Sequence, residues 1–499
     1  VNTPVRRVAV AVLVLFGLLI ANANYVQVLH ADVLRNDPSN LRTLLDEYQR
    51  QRGEIVVDGR AIATSKETSD RLRYLRRYPG GPAYSQLTGY YSLFRTTEGK
   101  NVETGLEAVE DPILSGIDSR LFTRRLSDLF TGRDPRGGSV VLTLSARAQQ
   151  AAYQAMARQR GAVVALDPGT GAILAMVSTP AYDPNPLASH DSGKVAATDA
   201  KLQQDPGHPL LNRAVNQRYP PGSVFKVIDA AAALSTGSYH PNSSVPAPDA
   251  LPLSTSNPPV TRLSLHNFGG ESCAGGGPDT LVHALTISCN TAFAQLAYTL
   301  GEDAVRQQAA KLGINDQGFS MPLPVSPSTV GAIADEPGLK LTAIGQNNVA
   351  ITPLQAAMIA AAVANHGTLM QPYLVKEVRA PDLSPLETTN AGAQHEAMSA
   401  DVADQLGQMM VSVVRSGTGT AAQIPGIDVA GKTGTADNAP GKAPHAWFIG
   451  FAPADHPKVA VAVLIENGGV AGNETTGGLA AAPVAKAVME AVLGLQGGG

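Results

Sequence analysis

The sequence predicts an α+β fold in which helices pack on a mainly antiparallel sheet, behind a smaller N-terminal domain and one membrane segment. Three observations carry this prediction. Residues 162–166 (AVVAL) and 173–177 (ILAMV) are apolar, β-branched runs joined by the turn Asp167-Pro168-Gly169-Thr170-Gly171, the pattern of a buried hairpin. Near the C-terminus, 447–451 and 458–465 read as two more adjacent antiparallel strands, followed by a helical pattern over 479–495. Between these pairs lie helical stripes, so the order is strands, helices, strands and a closing helix, which suits a layered sandwich.

In chain order, Arg6 and Arg7 precede an uncharged run over 8–29 whose first part is almost entirely aliphatic. This predicts a cytoplasmic tip over 1–7 and a transmembrane signal anchor over 8–29, with everything after it exported. Ala21-Asn22-Ala23 also resembles a signal-peptidase site, so cleavage after it stands as the alternative. Residues 32–155 mix short elements with charge clusters such as Arg71, Arg73, Arg76, Arg77 and Arg120, Arg124, Arg125, and are assigned to an N-terminal pedestal. From 156 to 499 the text turns apolar and forms the main domain. Within it, apolar residues at 224, 227, 228, 231 and 234 make one helical stripe that ends at Gly237 and places Ser223 at a helix start. Residues 235–277 have no periodicity and read as surface loop. Two short helices then flank Ser288-Cys289-Asn290, and the alanine-rich run 352–365 reads as a buried helix.

Composition excludes some classes. The chain has 499 residues and a net charge of −4, without a basic run, which argues against nucleic acid as a partner. Its histidines show no paired ligand spacing, and two cysteines cannot complete a zinc site, so no metal and no cofactor is expected. After export, Cys273 and Cys289 stand where disulfides persist, and a bridge would contribute about 3 kcal/mol by chain entropy. Two unpaired thiols packed as small apolar groups are the alternative.

Three short motifs matter jointly: Ser223-Val224-Phe225-Lys226, Ser288-Cys289-Asn290 and Lys432-Thr433-Gly434-Thr435, with 65 residues from Ser223 to Ser288 and 144 from Ser288 to Lys432. Each alone is weak, but their order and spacing are those of serine acyl transferases. A serine hydroxyl needs a base, and a lysine one helical turn on puts its amine beside that hydroxyl. The lysine must lose basicity, which burial and a second cation, Lys432, favour. Ser288 would relay a proton to the leaving amine, and Asn290 would serve Lys226 or the substrate amide. Thr433, Gly434 and Thr435 would hold a terminal carboxylate along a strand edge, with the backbone N–H groups of Ser223 and Thr435 as oxyanion hole.

Residues 426–433 also satisfy the phosphate-loop pattern G-x-x-x-x-G-K-[ST], but no strand precedes them and no helix can follow through Gly434 to Pro440. Nucleotide binding is therefore discounted. His445 is the one histidine of interest, since it precedes a strand beside the Lys-Thr-Gly segment.

With these motifs, Arg52-Gly53-Glu54-Ile55, Asn212-Arg213-Ala214, Tyr219-Pro220-Pro221-Gly222-Ser223, Ile344-Gly345-Gln346 and Ala364-Asn365-His366-Gly367, the chain resembles the class B penicillin-binding proteins. More narrowly, it is similar to the penicillin-binding protein A group of actinobacteria. The resemblance spans nearly the whole chain. It implies a penicillin-binding, serine β-lactamase-like transpeptidase domain, D,D-transpeptidation of stem peptides ending in D-Ala-D-Ala, and acylation of Ser223 by β-lactams. It further implies a role in division or elongation and a multi-span membrane glycosyltransferase as partner. Cys289 departs from the wider superfamily, where Asp is common, and would put one end of a bridge at the active site. A D,D-carboxypeptidase shares the chemistry and is the runner-up, and a β-lactam sensor is a further alternative. A class A β-lactamase lacks support, because no E-x-x-L-N segment is present.

Overall fold

The structure is a computed structural model of the chain and describes residues 2–29, 47–95, 101–121, 134, 136–156, 158–316, 321–438, 441–474 and 476–495. Arg124 and Arg125 of the charge clusters, and residues 32–46 of the pedestal, lie outside the described residues.

The first helix, α1 (Asn2–Asn24), overlaps the apolar stretch Thr3–Gln27, whose mean hydropathy of 2.1 and lack of any buried residue suit a membrane-crossing segment. Next come β1 (Ile55–Val57), β2 (Arg60–Glu67), β3 (Tyr74–Arg77) and β4 (Ser139–Leu142). The main domain runs through α2 (Ala146–Ala155), β5 (Gly161–Leu166), β6 (Ile173–Thr179), α3 (Lys226–Ser235), α4 (Leu281–Thr286), α5 (Asn290–Leu300) and α6 (Pro353–Ala364). It continues with β7 (Val375–Arg379), β8 (Pro385–Thr388), α7 (Ala400–Ser416), β9 (Ala430–Ala436), β10 (His445–Ala452), β11 (Val459–Ile465) and α8 (Ala482–Val492).

The central sheet has the order β9-β10-β11-β5-β6 and is antiparallel throughout. Both faces are covered. Val163, Ala165, Phe448, Val461 and Val463 meet α2 and α8 on one side, while Ala162, Val164, Trp447, Ala462 and Leu464 join the core under α6 on the other. Period-two alternation therefore sorts residues between two cores, which is why these strands read as unbroken apolar runs. The helix α6 is buried along its whole length and packs on β11, β5 and β10.

A second sheet, ordered β8-β7-β4-β1-β2-β3, makes the pedestal. The sequence division at 155/156 is crossed in both directions. Every residue of β4 is buried, so it needs a strand on each side: β1 lies parallel to it, and β7, more than two hundred residues later, completes it antiparallel. In the other direction, α2 packs on α8 and β6, because Ala148 and Ala152 find their apolar partners in the central sheet and the C-terminal helix.

Candidate active site

The segment before Ser223 is wedged against β9. Tyr219 Oη donates to Glu466 at 2.6 Å, Trp447 Nε1 donates to the Pro220 carbonyl at 3.0 Å, and the Gly222 N–H donates to the Gly345 carbonyl at 3.1 Å. Gly222 has φ +54°, and a Cβ there would stand 2.4 Å from the Thr435 carbonyl oxygen, so only glycine lets this turn meet the strand. Ser223 follows in a 3₁₀ turn, Gly222–Phe225, before α3 starts at Lys226. In a 3₁₀ turn residues i and i+3 eclipse, which places Ser223 and Lys226 on one side of the chain.

The two lysines are completely buried. Lys226 Nζ donates to the Ser288 carbonyl at 2.6 Å and to Asn290 Oδ1 at 2.7 Å, with Ser288 Oγ at 3.3 Å. Lys432 Nζ reaches the same hydroxyl at 2.9 Å and the Thr433 carbonyl at 2.8 Å. Helical spacing put the Lys226 amine on the Ser223 hydroxyl. Its three hydrogen bonds go instead to Ser288 and Asn290, whose carbonyl and amide oxygens are pure acceptors already aimed at it.

Ser288, with φ +64°, is held in the left-handed region, a conformation that costs a non-glycine residue about 1 kcal/mol or more and clusters at functional sites. Burial, then the neighbouring Lys432, push Lys226 well below its usual value, and burial lowers Lys432 to about 7. Asp229, one turn beyond Lys226, is also fully buried, and neither of its carboxyl oxygens has a hydrogen-bond partner. Burial pushes it well above its usual value, against the opposing pull of Lys226.

A cavity of about 680 Å³ opens above this group, bordered by Ser223, Ser288, Asn290, Thr418, Thr433 and Thr435. As the terminal strand of its sheet, β9 has one side without a strand partner among the described residues, where an extended peptide can lie. Gly434 must be small, since a Cβ would lie 2.8 Å from the Pro221 carbonyl oxygen. Thr433 Oγ1 shares a 2.5 Å hydrogen bond with Thr418 Oγ1. Cys273 and Cys289 are joined by a disulfide, and both border the cavity.

Two motifs from the sequence stand elsewhere. The phosphate-loop pattern at 426–433 runs from a surface turn straight into β9, and residues 426–429 border a different cavity of about 930 Å³ with Arg415 and Lys486. That cavity contains none of the three motifs' side chains and is set aside on chemistry despite its size. His445 Nδ1 accepts the Asn467 N–H at 3.1 Å, and its ring packs edge-on against Tyr219 behind the nucleophile turn, outside the cavity. Sequence reasoning also passed over Thr418, visible only as part of a small, polar stretch, and Asn267, which carried no signal in the long loop.

Comparison with known proteins gives a consistent result. Residues 161–490 match the penicillin binding protein transpeptidase domain, and 52–140 match the penicillin binding protein A dimerisation domain. The chain is 48% identical over 503 residues to the peptidoglycan D,D-transpeptidase PbpA of Mycolicibacterium smegmatis, with 99% of each chain covered. It is 47% identical over 500 residues to PbpA of Mycobacterium tuberculosis, again with 99% of each covered. The ceftriaxone acyl-enzyme of penicillin-binding protein A from M. tuberculosis superposes with a TM-score of 0.86 at 46% identity, covering 90% of this chain and 100% of that one.

Proposed function

The chain belongs to the class B penicillin-binding proteins, and from that premise we propose that Ser223 is the nucleophile, Lys226 its base, and Ser288, Asn290 and Lys432 the groups that manage the proton. The protein is a peptidoglycan D,D-transpeptidase and a β-lactam target. The observation that carries the residue assignment is the Ser288 hydroxyl, bridged between two fully buried lysine amines at the floor of the cavity.

The steps follow from this geometry. A stem peptide lies along the free side of β9, its terminal carboxylate on the hydroxyls of Thr433 and Thr435, with Thr418 orienting the first of these and Gly434 leaving room for the nucleophile turn. Lys226, its basicity lowered by burial and by Lys432, takes the Ser223 proton as Oγ adds to the penultimate D-Ala carbonyl. The N–H groups of Ser223 and Thr435 take the developing oxyanion. As the C–N bond breaks, Ser288 passes a proton to the departing D-Ala amine and is reprotonated from the lysine pair. An acceptor amine then adds to the ester, gives up its proton by the reverse route and regenerates Ser223. A β-lactam follows the first half, and its ring-opened acyl group stays on Ser223.

The apolar N-terminal helix fits a single-pass anchor. We place the catalytic domain on the extracytoplasmic side, since Arg6 and Arg7 stand in the first turns of the helix ahead of its aliphatic run, and assign the pedestal to spacing it from the membrane, near a multi-span glycosyltransferase. Fluorescent penicillin labelling of wild type and Ser223→Ala tests the assignment: the band disappears in the variant, and labelling that persists refutes it.

A further inference from the structure

The helix α5 starts at Asn290, and its N-cap residue has nothing to cap it with. Cys289 occupies that position, and its side chain is a disulfide sulfur rather than an oxygen. Two of the orphan amides are nevertheless satisfied. The N–H groups of Asn290 and Thr291 both donate to Oδ1 of Asn267, at 2.9 and 3.1 Å. Asn267 belongs to the long loop, 23 residues before Asn290, and only 9% of it is exposed. Its own Nδ2 is tied to the Glu271 carbonyl at 3.1 Å.

The residue beside it completes the hold. Asn290 Nδ2 donates to the His266 carbonyl at 3.2 Å, which leaves Oδ1 as the amide atom that faces Lys226 Nζ at 2.7 Å. Turning the amide over would set its oxygen against the His266 carbonyl, losing that bond, and its NH₂ against the lysine lone pair that must take the Ser223 proton. Two adjacent loop residues thus decide which atom Lys226 meets. The bridge from Cys273 ties the same loop to Cys289, between Ser288 and Asn290.

We propose that Asn267 is a positioning residue for acyl transfer: it caps α5 from outside the helix and, with the Cys273–Cys289 bridge as tether, sets Ser288 and Asn290 against Lys226. The inference rests on the assignment of those three residues to the reaction. A cap borrowed from a distant loop works only while that loop stays in place, so cap and bridge support each other and their losses combine non-additively.

The experiment measures acylation of the full chain in detergent by a fluorescent penicillin, separating the binding constant from the first-order acylation step. Wild type, Asn267→Ala and Asn267→Asp are each compared with the bridge intact and reduced, as verified by intact mass. Loss of the cap in Asn267→Ala slows the first-order step about tenfold, with binding within about twofold. Asn267→Asp, whose carboxylate accepts the same two N–H groups, restores the rate to within about threefold. Reduction slows the Ala variant by a larger factor than it slows wild type. Where Asn267→Ala does not fold, Asn267→Gln, which moves the amide by one methylene, replaces it with the same expectation. A wild-type acylation step in the Ala or Gln variant overturns the inference, as does a folded Asp variant that restores nothing, or equal effects of reduction in both backgrounds. Ser223→Ala in the same assay tests the underlying assignment separately: its silence with unaffected Asn267 variants removes only the positioning role.

Discussion

The protein buries ionisable side chains in two places, and it treats them oppositely. In the pedestal, Arg52 and Arg76 close on Glu107, with Nε–carboxylate distances of 2.6 and 2.7 Å, and Arg52 also meets Asp111 at 2.5 Å. Under the catalytic cavity, Lys226 and Lys432 share one serine hydroxyl, and the carboxyl nearest to them, Asp229, bonds to neither. Burial pushes Glu107 up, but Arg76 and then Arg52 outweigh it, so this carboxyl ends below its usual value and remains charged. In the site burial is unopposed by a bonded anion, and both amines lose basicity. Equal burial therefore gives a structural ion cluster where opposite charges pair, and amines of lowered basicity where like charges crowd.

Disabling the unpaired cluster sets the largest contrast. Lys226→Met abolishes penicillin acylation, a loss of about a thousandfold or more, whereas Glu107→Gln leaves the acylation rate of folded molecules within about twofold. Slow acylation in a folded Glu107→Gln protein would break the contrast. In unfolding by guanidinium the roles reverse. Glu107→Ala strips the buried Arg76 guanidinium of its carboxylate and leaves Arg52 with Asp111 and Glu103, at a cost of about 3–5 kcal/mol. Lys432→Met removes a buried amine without orphaning a counter-ion, and raises the melting temperature at pH 7 while it ends acylation. A lower melting temperature for Lys432→Met would show that the site's amines are stabilising after all.

The two clusters also respond to pH in different windows. The folded pKa of Lys432, about 7, is depressed from 10.5, so the unfolded chain binds the extra proton between these values. Stability accordingly falls as pH drops from about 10.5 towards 7, and this slope flattens in Lys432→Met. Glu107 is depressed from 4.5, so its contribution is complete above that value and is lost as pH falls through the folded one. Melting temperatures between pH 3 and 10 check both windows. The smallest effect concerns Thr418: Thr418→Val removes the partner of Thr433 Oγ1 and lowers acylation by roughly tenfold or less, through binding of the carboxylate. An unchanged binding constant would remove Thr418 from the substrate's side of the cavity.

How much of this was legible beforehand follows from the range of each interaction. The hairpin β5–β6, the helix α6 and the final strand pair announced themselves because their apolar patterns are local. The motifs around Ser223, Ser288 and Lys432 were legible for a similar reason: a few adjacent residues carry each. The completion of the pedestal sheet by β7 was not, since a strand's partner leaves no trace in its own periodicity. The packing of α2 against the C-terminal helix was hidden in the same way.

The sequence by itself determined the fold class, the apolar N-terminal helix and the three motifs around Ser223, Ser288 and Lys432. Only the tertiary structure decided that the Lys226 amine bonds to Ser288 and Asn290, that Asp229 stays unpaired, and that Asn267 caps a helix whose own cap is spent on sulfur. Hydrogen bonds and charge pairing depend on distances between segments far apart in the chain, and those distances exist only once the chain has folded.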